Sequence, residues 1–392
     1  MGVPDFVYEP VILPKGNARR EVSDGLLISQ GRGVILQTKA RSPRTPPDLD
    51  RQSAWARKQI GKAASQVRGT RRTLASVPEL QLTSRRGHSL TLAADSKRAW
   101  PGVVLLDMPG CPSGIDATCD DPETIVMTLD DWHTLNDLVR STSGVIDYVH
   151  RAIDAQTLQI ELAKEAVRYA NLAAADNELV RQEGGYPVLP SMGLSPREEQ
   201  VIATLDDWID SDIAVAAGPN GDLDPDATRR AIEVIDAIPV TVRVETARTL
   251  LHKVRKADVV GHAVSGVCQI PPSHHRLLFF FDQAANWSSS EHFSAYVFAY
   301  TATRHEELDD LYGPGVSLLL ARLSTKSGHV FRKFALIDGD AAELQLPSDE
   351  RWSILERHGM LTSGGIRPTE SLQADDPCPC RSGRKYIRCH AA

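Results

Sequence analysis

Val22-Ser23-Asp24-Gly25-Leu26-Leu27-Ile28-Ser29-Gln30-Gly31-Arg32-Gly33-Val34-Ile35-Leu36-Gln37-Thr38-Lys39 places two apolar runs on either side of a glycine-bearing reversal. Within residues 21–40, Val22–Ser29 alternates loosely, Gln30–Gly33 supplies glycine where positive φ is needed, and Val34–Lys39 returns. This is the pattern of a tight β-hairpin. Gln37 and Lys39 are two apart and therefore share one face of their strand. A two-residue turn at Gly31-Arg32 sets Asp24 opposite Lys39 on that face. A carboxylate, an amide oxygen and an ammonium are then expected on one surface.

The hairpin is followed by a proline-rich loop, Arg41–Asp50, holding Pro43, Pro46 and Pro47. From Arg51 to Leu74 the spacing of Ala56, Ile60, Ala63, Val67 and Leu74 makes one helical stripe. Arg57, Lys58, Lys62, Arg68, Arg71 and Arg72 occupy the rest of that helix. Gln66, mid-helix, reads either as a residue facing the site or as plain surface. Strands are expected at Ser89–Ala93 and Gly102–Leu106, and helices at Leu129–Val139 and Gly144–Ile153. That order implies an α/β layer arrangement. Ala152–Val180 reads as one long alanine-rich helix leading out of the unit.

A second α/β unit spans 195–370, its regular elements ending near residue 347. Helices are expected at Pro196–Ile209, Asp226–Ala237 and Val242–Lys256. Strand His275–Phe281, helix Glu291–His305 and strands Val316–Leu323 and Val330–Ile337 follow. The domain plan is thus 1–153, a helical connector at 154–194, an accessory domain at 195–370, and a tail at 376–392 beyond the linker Ser371–Pro377.

Charge is distributed unevenly. Residues 1–100 carry 18 Lys+Arg against 8 Asp+Glu, and the chain totals of 44 and 51 leave 26 against 43 for the remainder. A basic front on an acidic body suggests that the front meets a polyanion, although the two halves of one molecule could also balance each other. The expected partner is nucleic acid, DNA or RNA, with Arg57, Lys62, Arg68, Arg71 and Arg72 on its phosphates. The start lacks a basic segment followed by an apolar one, and the longest apolar runs, near Leu277–Phe281 and Val316–Ala321, fall far short of a membrane span. A cytoplasmic protein without a membrane partner is expected.

Three of the six cysteines fall within Cys378-Pro379-Cys380-Arg381-Ser382-Gly383-Arg384-Lys385-Tyr386-Ile387-Arg388-Cys389-His390. Cys378, Cys380, Cys389 and His390 are the soft and borderline donors that a structural zinc ion takes in a closed tetrahedron. Pro379 pre-sets a sharp bend between the first pair, and Ser382-Gly383 supplies the reversal that returns the second. These residues resemble the SEC-C motif, C-x-C-x-S-G-x-K-[YF]-x-x-C followed by C or H, with Ile387 where a lysine is common. The resemblance implies a zinc module and a protein-docking tag. No G-x-x-x-x-G-K-[ST] phosphate loop is present, so the resemblance does not extend to an ATPase. Cys111, Cys119 and Cys268 stand apart and read as reduced thiols.

Asp24, twelve residues, then Gln37-Thr38-Lys39 resembles the hairpin of the PD-(D/E)xK nuclease fold in its Q-x-K, Mrr-like form, over residues 6–150. The resemblance implies a restriction-endonuclease-like domain with Asp24, Gln37 and the Thr38 carbonyl on Mg²⁺ and Lys39 orienting the attacking water. Gln37 stands where a second carboxylate is usual, which weakens the hold on metal. Glu21 is the upstream acid, but a regular strand turns it to the other face unless a bulge intervenes. That fold also has a helix before the hairpin, which Pro4, Pro10 and Pro14 disfavour, so the native start is expected upstream or the domain is trimmed. A non-catalytic adaptor, gripping nucleic acid or an acidic protein, is the alternative that the neutral Gln37 keeps open.

Other candidates carry less. His274-His275 reads as a strand edge. Gly221–Asp226 lacks the central glycine and terminal glutamate of an EF-hand. Trp132 and Trp208, each after Asp-Asp, read as helix-face anchors.

Overall fold

The computed structural model describes residues 6–355 apart from 9–11, 16–17, 22, 42–48, 85–88, 94–99, 155–160, 184–186, 192, 217–224, 261–262, 271–274, 325–329, 339–350 and 352. The chain forms two compact units: Met1–Arg197 with Pro239–Thr241, and Glu198–Ile238 with Val242–Ala392.

The first unit contains β1 (Val7–Tyr8), β2 (Ile12–Lys15), β3 (Ala18–Glu21), β4 (Gly25–Ser29), β5 (Arg32–Ala40), α1 (Leu49–Ser76), β6 (Glu79–Thr83), β7 (Ser89–Ala93), β8 (Gly102–Asp107), β9 (Thr124–Thr128), α2 (Leu129–Val139), α3 (Thr142–Asp154) and α4 (Glu165–Glu183). Its main sheet runs β1-β4-β5-β8-β9, while β2-β3 and β6-β7 are separate ribbons. β4 is antiparallel to β5, and β5, β8 and β9 are parallel. The architecture is therefore a mixed α/β sheet. Strand alternation divides its side chains between two cores. Leu26, Ile28, Ile35, Val104, Leu106 and Val126 meet Ala56, Ile60, Ala63, Val67 and Leu74 of α1. Leu27, Val34, Val103, Leu105, Ile125 and Met127 meet α2, α3 and α4 on the other side.

The hairpin corrects the expected register. Ser29 pairs with Arg32, so the reversal is Gln30-Gly31, with φ of 53° and 72°, and not Gly31-Arg32. Positive φ at both central residues marks the primed turn whose twist suits a hairpin. The reason is tertiary. In this register Gly33 sits within β5 opposite Ile28, and a Cβ there would lie 2.3 Å from the Trp100 ring. Only glycine lets the buried indole of Trp100 lie against the strand. The slip preserves parity, so Asp24 stays on the face of Gln37 and Lys39.

Two further expectations give way. The proposed helix Ala152–Val180 is split between α3 and α4, because residues between them engage the loop before β9. Leu162 N–H donates to the Ile115 carbonyl at 2.8 Å, and Glu161 bridges Asp116. Among the residues read as a connector, α4 packs on α3, with Tyr169 and Ala173 in the same core as Leu189. β9 is a strand that the periodicity did not signal, since all five of its residues are buried and no in-and-out alternation marks it.

The second unit holds α5 (Pro196–Ala216), α6 (Pro225–Asp236), α7 (Val240–Val260), β10 (Val264–Ile270), β11 (His275–Gln283), α8 (Ser290–Tyr312), β12 (Val316–Ser324) and β13 (Val330–Asp338). Its sheet, β10-β11-β12-β13, pairs antiparallel, parallel, antiparallel, and α8 makes the crossover between the parallel strands. Phe280, Phe293, Tyr296 and Tyr300 build an aromatic core between β11 and α8. Beneath it Arg276 pairs with Asp309, and His305 lies 2.8 Å from Ser317 Oγ. Arg276, His305 and Ser317 are fully buried, which makes this a structural network closed to substrate. Among the described residues, no helix is long and apolar enough to cross a membrane.

Candidate functional site

Asp24 immediately precedes β4, and its cross-strand neighbour is Gln37 rather than Lys39, as the register requires. Side-chain reach nonetheless gathers all three residues. Thr38 N–H donates to Asp24 Oδ2 at 2.6 Å, which fixes the carboxylate against the far strand. Lys39 Nζ donates to the Thr38 carbonyl at 3.1 Å and lies 3.5 Å from Gln37 Oε1 and 3.9 Å from Asp24 Oδ2. Three oxygens of three chemical kinds thus surround one ammonium. Gln37 is buried, the Lys39 side chain is 15% exposed, and that of Asp24 is 41% exposed. The cage is open where Asp24 and the exposed Thr38 stand.

The same arrangement limits the charge available. Asp107 ends β8 beside Ala40, yet alternation with Val103 and Leu105 turns it to the α2/α3 face. Glu21 ends β3, which pairs with β2 in a ribbon separate from the sheet of β4 and β5. The described residues contain no group of three or more His, Cys, Asp or Glu suited to a metal ion. Among the described residues, Asp24 is the one carboxylate of the cage.

α1 spans the sheet from this site to the opposite edge. A Cβ on Gly102, the first residue of β8, would meet Val67 at 2.4 Å. The helix after Val67 thus lies at the start of β8, and its early turns run toward the end where Lys39 pairs with Leu106. Gln66 belongs to the far end and does not face the cage. Gln52 is the glutamine that sequence reading passed over: it is buried, in the first turn of α1. A polar residue in an otherwise apolar stripe, one turn before Ala56, was the available signal.

Arg57, Lys58, Lys62, Arg68 and Arg72 are exposed. At 100° per residue they fall within an arc of about 140°, on the side of α1 away from its buried stripe, and span roughly 22 Å of helix. Arg71 differs from them. Its guanidinium donates to the Trp100 and Glu123 carbonyls at 3.0 and 3.1 Å and pairs with Asp121 at 3.5 Å and Glu123 at 2.7 Å. It ties α1 to the approaches of β8 and β9, so it is not available to a phosphate.

Cys111 and Cys119 are free thiols packed beside the α1-side core. Burial pushes both thiols up, and the carboxylates of Asp131 and Asp130 add to this at Cys111. Neither is an activated nucleophile. Burial likewise raises Glu165, which is held by Tyr148 and flanked by Arg168 under α3.

Residues 376–392 match the SEC-C motif. Residues 376–392 thus carry a SEC-C-like motif, a zinc-binding type of motif, and they include the expected donors Cys378, Cys380, Cys389 and His390. Those four residues lie outside the described part of the structure. Three thiolates and one imidazole fit a closed structural zinc site and leave no open position for chemistry. The match covers the tail alone, and no curated protein and no solved structure matches the chain.

Proposed function

We propose that the chain is a nucleic-acid-binding protein whose first unit carries a metal-assisted phosphodiesterase site of the PD-(D/E)xK type. The observation that supports this most is the convergence of Asp24 Oδ2, Gln37 Oε1 and the Thr38 carbonyl on Lys39 Nζ. These oxygens suit a hard divalent cation such as Mg²⁺, and when bound the ion would polarise a phosphoryl oxygen and acidify a water. Asp24 and Gln37 would hold it, while Lys39 would steady charge developing on the phosphate. The exposed stripe Arg57, Lys58, Lys62, Arg68 and Arg72 would lie on the backbone of the bound strand. Five such contacts give log K a slope near −4.5 against log salt on a duplex, and each alanine substitution lowers it by about one.

The zinc-bearing SEC-C tail would serve as the docking element for a protein partner, and its thiolates call for a reducing, cytoplasmic setting. A second reading, a non-catalytic adaptor, is favoured by the single carboxylate of the cage. Labelled duplex, single-stranded and RNA substrates, with and without Mg²⁺ or Mn²⁺, separate the two. Cleavage lost in Asp24→Ala and Lys39→Ala, with folding and zinc content unchanged, is the expected result. Salt-sensitive binding without any turnover would leave the adaptor reading in possession, and degradation that survives both substitutions would end the nuclease reading.

A further inference from the structure

Lys39 fills the oxygen cage with its own charge, and this has a consequence for when metal can enter. The Thr38 carbonyl, Gln37 Oε1 and Asp24 Oδ2 lie 3.1, 3.5 and 3.9 Å from Nζ. The Lys39 side chain is only 15% exposed and Gln37 is buried, so the Gln37 contact is sheltered, while water screens those to the exposed Thr38 and Asp24 in part. A divalent ion needs the same three oxygens. An ion entering beside the ammonium meets a like charge at close range, and one replacing it must first move Lys39 away. We propose that Lys39 is a built-in competitor of the metal, and that an anionic phosphodiester backbone loads the site by drawing the ammonium out of the cage.

The proposal rests on the reading of Asp24 and Gln37 as metal ligands and adds the order of events. Asp24 and the phosphate compete for one ammonium. The cage is open toward Asp24, at 41% exposure, and the exposed Thr38, so a phosphate approaching there meets Nζ without crossing the buried Gln37. Once Nζ pairs with the phosphate, the three oxygens are left with unmet negative potential, and metal affinity rises. The coupling is reciprocal: whatever factor the backbone adds to metal affinity, the metal adds to backbone affinity. A site with one carboxylate, too weak to hold Mg²⁺ alone, would thus be metallated in the complex and empty outside it.

The test measures Mn²⁺ uptake by the zinc-loaded full chain, reading free Mn²⁺ by electron paramagnetic resonance. Wild type, Lys39→Met, Asp24→Ala and the Lys39→Met/Asp24→Ala double variant are compared without nucleic acid. Wild type and Asp24→Ala are also measured with a cleavage-resistant phosphorothioate oligonucleotide, the uptake by the oligonucleotide alone being subtracted. Methionine keeps the length of the side chain without its charge. Lys39→Met is expected to bind Mn²⁺ at least tenfold more tightly than wild type, and the oligonucleotide to tighten wild type by a comparable factor. The double variant is expected to lose the gain. Equal Asp24-dependent binding in wild type and Lys39→Met, with no effect of the oligonucleotide, would overturn the competition while leaving the metal site standing. No Asp24-dependent uptake in any arm would overturn both. The oligonucleotide arm uses unaltered protein, so it decides the matter even if a variant folds poorly.

Discussion

Arg71→Ala separates the part of the basic helix that holds the fold together from the part available to a ligand. Arg71 donates to two backbone carbonyls, Trp100 and Glu123, and pairs with two carboxylates, one of them the 3%-exposed Asp121. Hydrogen bonds from a charged donor contribute about 1.5–3 kcal/mol each, and the exposed Glu123 pair adds at most about 1 kcal/mol. Asp121 keeps Thr124 Oγ1 at 2.8 Å, so it is not stranded. Taking the hydrogen bonds at the low end gives a loss of about 3 kcal/mol. For a unit of this size each kcal/mol moves the midpoint by about 2–4 °C, so a fall of roughly 6–12 °C is expected by differential scanning calorimetry. Lysine at 71 should recover less than half, because one ammonium cannot serve carbonyls and carboxylates in a fork. The exposed Arg72→Ala should stay within about 0.5 kcal/mol of wild type while lowering nucleic-acid affinity. An Arg71→Ala variant that melts with wild type and loses binding as Arg72→Ala does would refute this division of the helix.

Gly33→Ala forces a methyl into the Trp100 ring, and overpacking of this kind costs about 1–3 kcal/mol, visible as a lower urea midpoint with altered tryptophan fluorescence. A stability unchanged from wild type would show that Trp100 does not rest on β5. His150 has its pKa lowered, first by burial and then by Arg32, so the folded state prefers the neutral ring. Its contribution to stability is present above the ordinary histidine pKa near 6.5 and is lost as pH falls through the lowered folded value. His150→Gln should therefore flatten the acid side of the urea midpoint against pH below 6.5, and parallel curves would refute it. If Cys378, Cys380, Cys389 and His390 hold one zinc ion, Cys380→Ser should drop bound zinc, measured by elemental analysis, from one per chain toward zero. The melting of the two folded units should stay as in wild type, and retention of stoichiometric zinc would mean that other ligands hold the ion.

What could be read from the residues was governed by local rules. Leu129–Val139 is a helix as expected, and the structure closes its start with a capping box of Thr128 and Asp131. The α1 stripe was legible because Ala56, Ile60, Ala63, Val67 and Leu74 keep helical spacing along a single face. Face parity made Asp24, Gln37 and Lys39 neighbours, and it survived the register slip because side chains alternate with a period of two. The SEC-C-like motif was legible in the tail because it is a local pattern of residue types and spacing, C-x-C followed by Cys389 and His390, and needs no distant partner to be read.

The remainder depended on contacts between segments far apart in the chain, which leave no periodic trace. Where the hairpin turns was settled by Trp100, sixty-seven residues beyond Gly33, because its ring needs a strand position without a Cβ. The long helix expected after Ala152 breaks because residues near 161 pair with a loop near 115. Arg71 and Arg72 are adjacent and identical in chemistry, yet one is bound to carbonyls over fifty residues away at its furthest and the other faces water. Residue type determined which groups this protein can offer; only the folded chain, through who lies across from whom, decided which of them are already taken.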